Sequence, residues 1–209
     1  MSYTLYGFPG SASFGPQALM ADAGLDFTTV SVDISDGSTH TPEYLAINPG
    51  GYVPALVLDD GRIMCEAAAI MLYLADFHGL GDLVPDVDDP NRAPLLRTLF
   101  YLSSTVQECY KHYYYPTRFT TNEGDAPNVQ QRAIELAMER WQPVEDQLSG
   151  SGPYALGNRF SLVDIYVAML ASWHPDPDAF YVQFPAIKKC RDLVVARPGI
   201  APVAAEHEV

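Results

Sequence analysis

Short β-prone apolar runs alternate with helical periodicity through the first part of the chain, and beyond it the strand signals stop. Tyr3 to Tyr6 reads as a strand, Pro16 to Ala23 as a helix ended by Gly24, and Phe27 to Asp33, rich in Val and Thr, as a second strand. Together they predict a β-α-β unit. Two shorter strands, Ala55 to Leu58 and Arg62 to Met64, are joined by Asp59-Asp60-Gly61 as a hairpin turn and followed by a helix from Glu66 to about Phe77. That helix is apolar nearly all round, so it is expected to pack on more than one side, under the sheet and against a neighbouring domain or subunit.

Residues 79–89 lose periodicity and gather Gly, Pro and Asp, which is the composition of a linker. After it, helices are expected at Asn91 to Tyr115, Pro127 to Leu148, Leu162 to Trp173 and Pro185 to Ala196. Ser161-x-x-Asp164, a capping box with a shorter acid than usual, precedes an apolar helix and reads as a buried structural cap. The expected division is an α/β domain over residues 1–78, a linker at 79–89 and an all-α domain over 90–209. No internal repeat or low-complexity tract interrupts it.

Composition narrows the partners. The chain has 209 residues, with 12 Lys and Arg against 26 Asp and Glu, and a net charge of −14. Affinity for a phosphate backbone rests on basic side chains, so nucleic acid is not expected as a partner. No basic segment precedes an apolar stretch at the beginning, and no run of about 18 apolar residues occurs, so a soluble, cytoplasmic protein with no membrane partner is expected. Three cysteines, Cys65, Cys109 and Cys190, are odd in number and far apart, which offers neither a disulfide framework nor a Cys-x-x-Cys pair. The histidines show no ligand spacing, and no metal is implied.

The densest chemical signal is Asn48-Pro49-Gly50-Gly51-Tyr52-Val53-Pro54-Ala55-Leu56-Val57-Leu58, followed by Glu66-Ala67-Ala68-Ala69-Ile70. Pro54 cannot donate to a sheet, so it belongs at the first strand residue, where a cis bond is one way of making the sharp bend. Such a bend exposes the backbone of Val53, which can hold an extended peptide as an added strand, while free amides at the helix start near Glu66 can hold its carboxylate end. The expected ligand is a small, charged peptide.

These residues resemble the glutathione-binding half of a bacterial glutathione transferase, with the closest likeness to the beta class. The resemblance runs through Tyr44-Leu45-Ala46-Ile47-Asn48-Pro49-x-Gly51-x-Val53-Pro54-Ala55-Leu56 and Glu66-x-x-Ala69-Ile70-x-x-Tyr73-Leu74-Ala75-Asp76. Tyr3-Thr4-Leu5-Tyr6 with Pro9-Gly10 resembles the family's first strand and active-site loop, and Gly157-Asn158-Arg159-Phe160-Ser161-Leu162-Val163-Asp164 resembles the signature of its helical domain. It implies a thioredoxin-like N-terminal domain, an all-α C-terminal domain, a homodimer, and detoxifying attack of the glutathione thiol, as co-substrate, on an apolar electrophile.

The resemblance also distributes roles. Glu66 would meet the glutathione α-amino group, the amides of Glu66 and Ala67 its γ-glutamyl carboxylate, and Val53 and Pro54 its peptide backbone. Ala67 stands where many members have Ser, Tyr52 where Gln is common, and His40 lies nearest to a basic residue often found after the second strand. In the loop Pro9-Gly10-Ser11-Ala12-Ser13-Phe14-Gly15-Pro16, Ala12 occupies the beta-class cysteine position, so the family cysteine is missing. The thiolate is then expected to lean on a hydroxyl, that of Ser11, Ser13 or Tyr6, although a serine there could instead only cap the helix. The segment Tyr110 to Phe119 is unusually aromatic, and Tyr110, Lys111 and Tyr114 are the candidates for an electrophile pocket, with domain or dimer packing as the alternative. Two other classes remain: a non-catalytic carrier that keeps the fold, and a thioredoxin- or glutaredoxin-type oxidoreductase, which Ser11-Ala12-Ser13 deprives of its redox cysteine.

Overall fold

The computed structural model describes residues 2–209. The chain forms two compact units, one built from residues through Val84 together with Leu193–Val209, the other from Pro85–Asp192.

In the first unit, strands β1 (Tyr3–Gly7), β2 (Phe27–Ser31), β3 (Ala55–Val57) and β4 (Ile63–Cys65) form one sheet in the order β2-β1-β3-β4. β1 and β2 are parallel, which requires a crossover, and helix α1 (Phe14–Asp22) supplies it. β1 to β3 and β3 to β4 are antiparallel. Tyr3 and Leu5, two apart on β1, are both buried, and Leu5 lies opposite Leu56, which lies opposite Met64. This one row fixes the register, because a slip by one residue would turn it to the other face. The hairpin turns at Asp59-Asp60-Gly61 as expected. Gly61 takes φ +83°, its N–H reaches Leu58 O at 3.0 Å, and Leu58 N–H reaches Arg62 O at 2.8 Å.

Helix α2 (Pro42–Leu45), a single turn capped by Thr41, precedes β3, and helix α3 (Ala67–Phe77) follows β4. α1 and α3 pack on each other. α3 buries Ala67, Ala68, Ile70, Met71, Leu74 and Ala75, while Ala69, Asp76 and Phe77 are exposed. Tyr73 and Phe77 stack at 5.4 Å between ring centroids.

The C-terminal residues correct the expected division, which assigned everything beyond 90 to the helical domain. Leu193–Val209 belongs to the first unit, where the C-terminal helix Ala201–His207 packs on α1. The attachment is polar as well as apolar. Arg197 forks onto Asp22 with its shortest contact 2.7 Å, Gln17 Nε2 donates to Glu206 at 2.9 Å, and Gln17 Oε1 lies 3.0 Å from His207 Nε2. Gly199 fits because a Cβ there would stand 2.5 Å from Asp22 Cα. The expected linker is also partly structural, since Leu83 and Val84 are buried in this unit.

The second unit is helical, with α4 (Arg92–Tyr101), α5 (Gln107–Tyr114), α6 (Ala126–Ser151), α7 (Leu162–Ala171), α8 (Pro177–Gln183) and α9 (Pro185–Val195), whose last turn passes the boundary. The helix expected over Asn91 to Tyr115 is instead α4 and α5 joined by a π-helical turn, Leu102–Val106. The sequence reading also passed over α2, α8 and the C-terminal helix, all of seven residues or fewer, too short for periodicity to register. Every residue of α7 is buried. Its first turn carries the expected box: Ser161 N–H donates to Asp164 Oδ2 at 2.7 Å, and Ala155 N–H to Asp164 Oδ1 at 2.7 Å. Burial raises the Asp164 carboxyl to about 6 against these hydrogen bonds. Glu145 of α6, also buried, accepts the N–H groups of Ala186 and Ile187, both at 2.9 Å, and so closes the start of α9.

Candidate functional site

The strand register gathers the candidate residues of the first unit at one end of its sheet. Tyr6 on β1 pairs with Ala55 on β3, and Ala55 pairs with Cys65 on β4. The next residues at that end are Gly7, Pro54 and Glu66. The loop into α1, the bend into β3 and the start of α3 are therefore neighbours.

The bend before β3 is fixed from behind. Tyr52 O accepts from Tyr44 Oη at 2.7 Å and from Asn48 Nδ2 at 2.6 Å, and Asn48 Oδ1 accepts from Gly50 N–H at 3.0 Å. Burial pushes the Tyr44 hydroxyl up to about 12, which keeps it a donor. Gly51, at φ +67°, completes the turn, and the peptide bond between Val53 and Pro54 is cis, as the sequence allowed. With the carbonyl of Tyr52 occupied, the adjoining polar groups are free. Among the described residues the N–H and C=O of Val53 have no hydrogen-bonded partner in the chain. A half-buried peptide unit in that condition accepts an extended peptide with the donor and acceptor pattern of a strand.

α3 begins beside it with an unusual residue. Glu66 has φ +69° and ψ 107°, is exposed, and makes no side-chain bond to its own helix. Positive φ at a residue with a Cβ costs on the order of 1–3 kcal/mol and persists where the surroundings demand it. Its carbonyl accepts the Ile70 N–H at 2.9 Å, but the amides of Ala67, Ala68 and Ala69 lie in the first turn, where no preceding carbonyl can reach them. The helix start thus offers donors for an anion with a carboxylate of its own alongside.

His40 and Tyr52 stand at the rim. A Cβ placed on Gly51 would lie 3.1 Å from His40 Nε2, so the imidazole sits over that turn, held by a 2.8 Å contact between its Nδ1 and Thr39 Oγ1. Tyr52 is 45% exposed. Tyr6, at the strand end, tilts against Tyr44 with ring centroids 6.2 Å apart.

The serines of the first loop face inward. Ser11 Oγ donates to Phe8 O at 2.6 Å; Ser13 Oγ accepts the Phe8 N–H at 3.1 Å and lies 2.8 Å from Ser11 Oγ. Ser13 is fully buried, packed so tightly that a Cβ on Gly7 would fall 2.5 Å from its own Cβ. Each hydroxyl has one hydrogen, and each has an internal acceptor within reach. Ser13 makes no side-chain cap bond to α1, whereas Ser11 Oγ accepts the Ser13 N–H at 3.2 Å at the entry to the helix. Both serines staple the loop to Phe8. The Ala12 N–H, by contrast, has no hydrogen-bonded partner among the described residues.

In the helical unit, Tyr110 lies in the core. It is 1% exposed, its hydroxyl accepts from Trp141 Nε1 at 3.0 Å, and burial pushes that hydroxyl far above its usual range. Its ring meets Trp173 edge-on at 5.9 Å, a partner the sequence reading did not single out. Tyr114, one turn further on, is 52% exposed and donates to Trp173 O at 2.7 Å. Lys111 Nζ lies 3.4 Å from Glu108 Oε2. Among the described residues no group of three or more His, Cys, Asp or Glu could hold a metal ion, and no helix is long and apolar enough to cross a membrane.

Comparison with known proteins places this arrangement. Residues 1–76 match the model of the glutathione S-transferase N-terminal domain, and residues 102–198 that of the glutathione S-transferase C-terminal domain. The chain is 28% identical over 166 residues, 79% of each sequence, to glutathione S-transferase GstA of Escherichia coli O157:H7. It is 30% identical over 207 residues, 98% of each, to the uncharacterised GST-like protein YncG of Escherichia coli K12. Among solved structures, a glutathione transferase homologue from sulfitobacter with bound glutathione superposes with a TM-score of 0.91 at 30% identity, covering 100% of this chain and 99% of that one. A bacterial beta class glutathione S-transferase from Sphingomonas chungbukensis superposes with a TM-score of 0.82 at 25% identity, over 99% and 100%. The chain belongs to the glutathione S-transferase family.

Proposed function

We propose that the first unit binds reduced glutathione and activates its thiol for transfer to an apolar electrophile. The observation that carries this reading is the unpaired peptide unit of Val53 beside the strained, exposed Glu66 at the open start of α3. In this arrangement the N–H and C=O of Val53 pair with the cysteinyl residue of glutathione. The amides of Glu66 and Ala67 take the γ-glutamyl carboxylate, the Glu66 side chain takes the α-amino group, and His40 and Tyr52 border the glycyl end. The bound thiol meets the first loop, where the Ala12 N–H and the positive end of α1 favour its ionised form. Ser11 and Ser13 act by holding that amide in place, and Tyr6 adds a hydroxyl at the strand end. The electrophile is assigned to the aromatic segment of the helical unit, at Tyr114 and Lys111 with Tyr110 packed behind them. Binding and proximity are then the main rate devices. The reaction is thiolate chemistry in the broad sense: conjugation, dehalogenation, thiolytic ether cleavage, isomerisation or peroxide reduction. The exposed Phe77, stacked on the half-buried Tyr73, and the exposed Ile63 on β4 support self-association into a homodimer.

A carrier without catalysis is the second reading, favoured by the inward-facing serines and the absent cysteine. A calorimetric glutathione titration with the thiolate absorbance of the bound ligand followed in parallel separates the two. Binding with ionisation near neutral pH supports the transferase, binding without ionisation supports the carrier, and no binding at millimolar glutathione rejects both.

A further inference from the structure

The helical unit holds a groove of about 480 Å³ between α5, the turn after it and the first half of α6, a volume in the range of small-molecule sites. Part of its wall is apolar: Val129, Ala133 and Leu136 come from α6 beside the polar Asn128, and Phe119 stacks on His112 with centroids 3.6 Å apart and planes within 23°. Charge enters at three places. Glu108 lies at the edge and is engaged by Lys111, while Arg132 is paired with Glu135 at 3.1 Å and Glu139 at 3.2 Å. Arg140 is different.

Arg140 Nη1 donates to Thr105 O at 2.8 Å and lies 3.0 Å from Cys109 Sγ, which pins the guanidinium against the π-helical turn. No carboxylate pairs with it among the described residues, and none of its hydrogen bonds uses Nη2 or Nε. In a chain of net charge −14, this is an anchored cation with no paired carboxylate, in a groove whose far wall is apolar. A planar guanidinium held this way presents a fork that fits a carboxylate or sulfonate. A flat ring system on the other side of such a ligand would meet the His112 and Phe119 stack and the aliphatic wall.

We propose that this groove binds an aromatic monoanion, with its acid group on Arg140 and its ring against Phe119, Val129 and Leu136. The site lies wholly within the helical unit and does not depend on the glutathione reading.

The test titrates 1-naphthoate, and in parallel the uncharged 1-naphthalenemethanol, into the full chain by calorimetry. Naphthoate is expected to bind at least tenfold more tightly than the alcohol, Arg140→Gln to abolish that preference, and Arg140→Lys to restore part of it. Nuclear Overhauser contacts from naphthoate protons to the Phe119 and His112 rings in the unsubstituted protein give a readout that does not depend on the variants folding. Binding that ignores Arg140, contacts at other rings, or no binding at millimolar naphthoate overturns the proposal. A change of mass in light scattering for Leu136→Asp, without naphthoate binding to the unsubstituted protein, would overturn it in favour of an interface between copies.

Discussion

Two helices of this chain begin in opposite ways. α7 starts against its own chain: Asp164, wholly buried, accepts from Ser161 and Ala155, and its own N–H reaches Ser161 O at 3.1 Å. α3 starts with Glu66 turned out at positive φ, no side-chain cap, and three amides without helical partners. Both sequences place an acid in or beside the first turn, yet one acid completes the protein and the other leaves it open. Orphan donors at a helix start must be satisfied by something. Where the chain does it, the start is structural; where it does not, the start is open to the proposed ligand's carboxylate.

The largest effect should come from breaking the closed start. Asp164→Ala removes the acceptor for two buried amides at once and should destabilise the protein by about 3–5 kcal/mol in urea unfolding. A loss under about 1 kcal/mol would show that the carboxylate is dispensable there. The open start should respond in the other currency, affinity. Glu66→Ala should weaken glutathione by about 1.5–3 kcal/mol in calorimetry, with little change in melting temperature. Glu66→Gly sharpens the contrast, since glycine adopts positive φ freely. It should lose the same affinity while gaining stability, and unchanged affinity in both variants would remove Glu66 from the site.

The first loop lies between these extremes. Ser13→Ala leaves the Phe8 N–H without its side-chain acceptor and should cost about 1–2 kcal/mol of stability, while the pKa of bound glutathione stays in place. A raised thiol pKa with stability intact would return the serine to direct contact with the thiolate. The smallest effect concerns pH. Burial holds His207 below its ordinary value of 6.5, with its Nδ1 unpaired, Gln17 on its Nε2, and Glu206 opposing the shift. The unfolded chain therefore takes up a proton near 6.5 while the folded chain does not. The stability contributed by neutral His207 is full above that pH and is lost as pH falls toward the folded value. His207→Gln should flatten the decline of melting temperature below pH 6.5, in part only, because burial lowers His174 in the same sense.

What could be read from the sequence follows the range of the interactions. The bend at Val53-Pro54, the hairpin at Gly61 and the box at Ser161 and Asp164 are local devices, and their residue types announce them. The place of Leu193–Val209 was not legible, because Gln17 and His207 meet across 190 positions and no short-range pattern encodes the pairing. Nor was the direction of the serine hydroxyls. Ser11 and Ser13 are suitable for a ligand or for Phe8, and only the folded loop decides. Tyr110 carried the same ambiguity, which its bond to Trp141 resolves toward the core.

The return of Leu193–Val209 to the first unit has a consequence for synthesis. Domains commonly fold as they leave the ribosome, the N-terminal one first. Here the sheet and α1 emerge early, but the segment that lies on α1 follows only after the whole helical unit, Pro85–Asp192, has been made. Until then the α1 surface that receives Arg197, Glu206 and His207 stays uncovered. The unit that carries the candidate glutathione site therefore begins before the helical unit and is completed after it.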